Sequence, residues 1–101
     1  QSFEMKRYYS HYTFIYPNIY LKNYIIEVND KGQITNAFSF RSEVEKTEFY
    51  SGLLLFYPVG VQVNLQDRLK SDLFINPNKS LVFSYEKYNI THIEDLTSYI
   101  Y

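Results

Sequence analysis

The chain has 101 residues, a formal net charge of −1 from ten Lys and Arg against eleven Asp and Glu, and no cysteine. This length holds one domain with a single core and excludes a β/α barrel enzyme, while the charge offers no basic field for a phosphate backbone and argues against nucleic acid as a partner. Without cysteine there are no disulfides, thiolate metal sites or Cys nucleophiles.

Aromatic residues make up 20% of the chain, with 12 Tyr, 8 Phe and no Trp. Rings of this kind suit pleated, half-buried surfaces, so composition points to a mainly β fold. The longest apolar runs fall far short of a membrane span and no apolar signal segment opens the chain, which sets a cytoplasmic location and no membrane contact as the expectation. Gln1-Ser2 reads as the remnant of a cleaved purification tag. The domain is then expected over 1–101, with 1–4 a tag remnant or disordered, a natural start at Met5, and room for a signal peptide already removed.

In chain order, residues 6–16 (KRYYSHYTFIY) are almost all β-branched, aromatic or short polar types. Neither parity is cleanly polar, so this strand is expected to be covered on both sides or to lie at a seam. Pro17-Asn18 breaks it. Residues 23–40 then form the central hairpin. Tyr24, Ile26 and Val28 alternate on the first arm, Ile34, Phe38 and Phe40 share a face on the second, and Gly32 supplies the positive φ that closes Asn29-Asp30-Lys31-Gly32 with a bulge.

Between Arg41 and Thr47 only Val44 is apolar, which reads as a solvated connector. A second β block starts at Thr47, passes Ser51-Gly52 and runs through Leu53-Leu54-Leu55-Phe56-Tyr57 to Pro58, the five apolar residues predicting a strand buried on both faces. Val59 to Val63 could add a short strand. Leu65, Leu69, Leu73 and Phe74 recur with helical spacing behind Asn64 as a cap, predicting one short helix over 64–74 that Asn76-Pro77-Asn78 ends. A strand is expected over Lys79–Glu86 and a turn at Lys87-Tyr88-Asn89. The tail holds either a strand around Ser98–Tyr101 or a helix from Thr91, where Thr91-His92-Ile93-Glu94 has capping-box spacing.

Chemistry is sparse. His11 and His92 are the two imidazoles, at opposite ends of the chain and without metal-ligand spacing, so they read as a strand-surface and a turn histidine. Glu43, Glu45 and Glu48 would need a pocket that raises one pKa to serve as acid and base, yet they sit in the most polar segment. Gly52 and Gly60 are lone turn or bulge glycines without a phosphate-wrapping pattern. The sequons at Asn78-Lys79-Ser80 and Asn89-Ile90-Thr91 are read as chance. The tyrosines are the anomaly: a phenol offers apolar area with a polar tip and suits a ligand groove or a protein contact, and the simplest expectation is that they cover the rim of a thin β-sandwich.

The order of pieces resembles a known family. Residues 7–14 (RYYSHYTF), then Leu21–Val28 with the Asn29–Gly32 turn and Gln33-Ile34-Thr35, resemble the opening of metal-dependent amidohydrolases of the cytosine- and guanine-deaminase-like branch. Residues 45–58 (EKTEFYSGLLLFYP) are similar to that family's next strand, which leads into its catalytic barrel, and residues 79–90 and 96–98 to its returning C-terminal strands. The resemblance implies the family's small β-sandwich without the barrel. Where the family places H-x-H metal ligands, this chain has Val59-Gly60-Val61-Gln62-Val63-Asn64, so no amidohydrolase site carries over.

The expectation is therefore a mainly β fold, a small two-layer β-sandwich of antiparallel strands with one short helix. Its function is expected to be non-catalytic, through contacts with a protein partner or in a homodimer, with no cofactor, no metal and no catalytic residue. The rival expectation is a small-ligand binding module with a groove lined by Tyr57, Tyr85 and Tyr88.

Overall fold

The computed structural model describes residues 5–42, 44–62, 73–74, 77, 81–83 and 85–95. The fold is mainly β, as composition implied. The strands β1 (Lys6–Ile15), β2 (Ile19–Val28), β3 (Ile34–Ser39), β4 (Thr47–Pro58) and β5 (Tyr88–Ile93) form one five-stranded sheet in the order β3-β2-β1-β4-β5. Three pairings are antiparallel and the fourth, β1 with β4, is parallel, so the expected layers are parts of a single mixed sheet. The parallel pair arises because the polar connector after β3 carries the chain back across the sheet to the free side of β1. Arg7 anchors that return: its Nε donates to Glu27 Oε2 at 2.6 Å on β2 and its Nη1 to the Glu45 carbonyl at 3.0 Å, just before β4.

As the central strand, β1 is covered on both faces, which explains its lack of a polar parity. Leu53–Phe56 of β4 are buried for the same reason. One apolar cluster joins Ile15, Leu21, Ile26, Val28, Ile34, Leu54, Phe56 and Tyr88, drawing on every strand. The other joins Phe14, Leu53 and Leu55 with Phe74. The connection between β4 and β5 supplies cover to both, since Leu81 and Phe83 pack on the first cluster and Phe74 belongs to the second.

The hairpin forms where the sequence places it. Asn29 Oδ1 accepts from the N–H groups of Lys31 at 2.9 Å and Gln33 at 3.0 Å, and Gly32 takes φ 85°. Its second arm differs in phase. Glu27 pairs with Asn36 but Val28 with Ile34, so Thr35 is an extra residue and the alternation flips. Ile34 and Ala37 reach the first cluster, whereas Phe38 lies opposite Ile25 on the other face, correcting the expected shared face of Ile34, Phe38 and Phe40.

A second irregularity crosses three strands at one level. Tyr8 and Ile15 join the same cluster seven residues apart in β1, and Leu21 and Tyr24 do so three apart in β2, so both strands change phase. On β2 the change falls at Asn23, with φ 56°. On β4 it is matched by one added residue, because Ser10 pairs with Tyr50 and Tyr12 with Leu53. Gly52 fills that bulge at φ 89°, and a Cβ there would collide with the Ile93 carbonyl oxygen and lie 3.0 Å from that of Glu94. Ser10 Oγ, fully buried, donates to the Gly52 carbonyl at 2.7 Å and closes the bulge.

The sheet coils until its opposite edges touch. Tyr88 N, at the start of edge strand β5, donates to the carbonyl of Gly32 in the β2–β3 turn at 2.9 Å. Elsewhere the expectations shift. Residues 59–62 are turn and irregular backbone, residues 81–83 carry no strand, and the expected turn at Lys87-Tyr88-Asn89 instead opens β5. Thr91–Ile93 is strand, so no helix starts at Thr91. The short helix expected over 64–74 lies outside the described residues except for Leu73 and Phe74, and the strand expected over 98–101 lies outside them altogether.

Candidate functional site

Two surfaces stand out once register is known. The first is a row of rings across four strands. Tyr9 of β1 lies beside Phe49 of β4 on one side and Ile25 of β2 on the other, and Ile25 lies beside Phe38 of β3. Ile25 is fully buried beneath the row, while Phe49 is 52% exposed. Phe40, just past β3, closes the group: its ring lies 5.0 Å from that of Tyr9 and 6.0 Å from that of Phe49, with Tyr9 and Phe49 5.4 Å apart. His11 adds an edge contact to Tyr9 at 5.9 Å. Tyr9 donates its hydroxyl to Asn23 Oδ1 at 2.7 Å, so the polar tip is used within the chain and the ring faces are left for contact. A groove of about 360 Å³ lined by Phe38, Ser39, Arg41, Ser42 and Val44 continues the row past the edge of β3.

The second surface is a cavity of about 440 Å³ at the corner where the edges meet. Tyr8, Val28, Tyr88 and Ile90 contribute its apolar lining, and Lys6, Lys31, Lys87 and Asp30 its charge. Burial, aided by the Glu48 carboxylate, raises the pKa of Tyr8 above that of a free phenol, and burial does the same for Tyr88. Both phenols are therefore neutral at physiological pH.

Of the tyrosines named from sequence, Tyr88 lines this cavity. Tyr85 stands edge-on to Tyr88 at 5.9 Å and to Tyr16 at 6.0 Å. Tyr57 lies apart, packed against the second cluster with its hydroxyl 2.8 Å from Thr91 Oγ1. The structure thus brings Tyr85 and Tyr88 together and leaves Tyr57 out. What the sequence reading passed over are Lys6, Lys31 and Lys87, far apart in the chain: pairing of β1 with β2 sets Lys6 beside the turn that carries Lys31, and the contact between the sheet's edges adds Lys87.

His92 sits in β5 rather than in a turn, its Nε2 2.6 Å from the Ser51 carbonyl and its ring 4.8 Å from that of Tyr50. Among the described residues no group of three or more His, Asp or Glu gathers as a metal site would require. Glu48 accepts the Tyr50 hydroxyl at 2.7 Å, and that bond, more than burial, pushes the Tyr50 pKa up to about 12. Glu45 is exposed in a turn, and Glu43 lies outside the described residues. Asn89 and Thr91 of the second sequon lie within β5, and the first sequon is outside the described residues. No helix among the described residues is long and apolar enough to cross a membrane.

No family model matches the chain, and neither a curated protein nor a solved structure matches it. Those comparisons leave the amidohydrolase resemblance where the sequence put it.

Proposed function

We propose that this chain is a non-catalytic β domain that acts through protein contact, using the Tyr9–Phe40–Phe49 surface, with a second copy of the chain as its occupant. The observation that carries the reading is Phe49: a phenylalanine 52% exposed, with no hydroxyl to hydrate, tilted against the Tyr9 ring and edge-on to that of Phe40. Exposed rings clustered in this way mark interfaces more often than isolated apolar residues do. A net charge of −1 gives two copies little reason to repel, and a row running across the sheet can pair with itself about a twofold axis.

Light scattering at micromolar concentration tests it. A dimer is expected for the unaltered protein and a monomer for Phe49→Ser, with circular dichroism unchanged because the side chain is half in solvent. A strict monomer, with no protein partner lost on the same substitution in a pull-down, overturns the reading. Stoichiometric metal in elemental analysis of untagged protein would overturn its non-catalytic part.

A further inference from the structure

The geometry points to the corner cavity as a binding site for a small phosphate monoester that carries an aromatic or similarly flat body. This is a different surface from the Phe49 row, and it does not depend on how that row is used. The chain as a whole is nearly neutral, yet the cavity gathers Lys6, Lys31 and Lys87 against the single carboxylate of Asp30. Among the described residues the ion pair formed is Arg7 with Glu27, and none of these three lysines is paired with a described carboxylate. All three lysines are exposed, so their ammonium groups are open to an anion at the cavity mouth, which gains a charge-assisted hydrogen bond from each one it reaches.

The body of the ligand follows from the rest of the wall. The partly buried Tyr8 and Ile90, with the edges of the buried Tyr88 and Val28, form an apolar wall of the kind that holds a flat organic group. About 440 Å³ lies within the range of small-molecule pockets and exceeds what a bare oxyanion fills. The site is also held in shape. Tyr88 N, donating to the Gly32 carbonyl, fastens its two sides.

The probes are phenyl phosphate, inorganic phosphate, phenol and benzyltrimethylammonium, titrated into the labelled full chain and followed by amide chemical shifts. Phenyl phosphate is expected to saturate, with shifts concentrated at residues 28–32 and 87–90, and to bind about tenfold more tightly than phosphate or phenol alone. The cation is expected not to bind. The double variant Lys31→Glu, Lys87→Glu should weaken phenyl phosphate by at least about tenfold, and Asp30→Asn should strengthen it. Lys6→Gln with Lys31→Gln, a milder change that leaves Lys87 in place, should weaken it in the same direction. Shifts spread equally over Lys22 and Lys46, a response that does not saturate, or equal affinity in the charge variants overturns the proposal.

Discussion

Replacing Gly52 by Ala probes the bulge that sets the phase of the central strands. A left-handed conformation costs an L residue about 1–2 kcal/mol, and loss of unfolded-state freedom returns about 0.4–1 kcal/mol of that. Gly60, at φ 89° with nothing within 4 Å of an added Cβ, isolates this backbone contribution, so Gly60→Ala should cost about 1 kcal/mol. Gly52 has the same φ but its Cβ would run into the Ile93 carbonyl and lie 3.1 Å from Glu94 Cα. Both obstacles are backbone at the end of β5, so relief requires that strand to move away from β4, an overpacking cost of about 1–3 kcal/mol more. Gly52→Ala should therefore lose about 2–4 kcal/mol in urea denaturation followed by circular dichroism. At about 4–8 °C per kcal/mol, the expected fall in Tm is about 8–32 °C, against about 4–8 °C for Gly60→Ala. Gly32→Ala should fall between the two, because its Cβ would lie 2.9 Å from Lys87 Cγ, a side-chain atom that must shift but is not backbone. Equal losses at Gly52 and Gly60, within about 0.5 kcal/mol, would refute the account of the bulge.

Ser10→Ala should cost about 1–2 kcal/mol in the same assay, since it leaves the buried Gly52 carbonyl without its donor, whereas Thr13→Val should be neutral or stabilising by about 1 kcal/mol because Thr13 Oγ1 is buried with no hydrogen-bond partner among the described residues. Tyr50 should titrate near pH 12 by absorbance at 295 nm, and Glu48→Gln should bring it down toward the other exposed phenols. As the folded chain holds that proton longer than the unfolded one, Tyr50 leaves stability unchanged below about pH 9 and lowers it between about pH 10 and 12, a slope that Tyr50→Phe should reduce. Glu27→Gln removes one charge of the partly buried pair with Arg7 and should cost about 0.5–1 kcal/mol at low salt, with the difference shrinking as salt is added.

The strands themselves were legible because runs such as KRYYSHYTFI and TEFYSGLLLFYP combine β-prone residues with apolar content that only a central position satisfies. The closing turn was legible for a local reason, the side chain of Asn29 and the φ of Gly32. Phase was not. Thr35, Asn23 and Gly52 each mark a place where period-two reading fails, and a bulge is decided by what lies on the neighbouring strand. Residues 88–93 were misread because Lys87-Tyr88-Asn89 has turn composition, yet pairing with β4 and the bond to Gly32 make Tyr88 a strand residue. Of the candidate ligand tyrosines, proximity in sequence sufficed for Tyr85 and Tyr88. Tyr57 follows its own strand's alternation to the other face.

The abundance of tyrosine then acquires a structural cause. One sheet has two faces to cover, and its two clusters are finished at their margins by partly buried rings: Tyr8, Tyr24 and Tyr50 around the first, Tyr12, Tyr16, Tyr20 and Tyr57 around the second. A ring at such a margin must be apolar toward the core and wettable toward solvent, which a phenol achieves and a phenyl group does not. By that logic the tyrosines explain cohesion. Among the described phenylalanines, cohesion leaves Phe49 unexplained, half in solvent, and for that reason the contact surface we propose is centred on it rather than on the more conspicuous phenols.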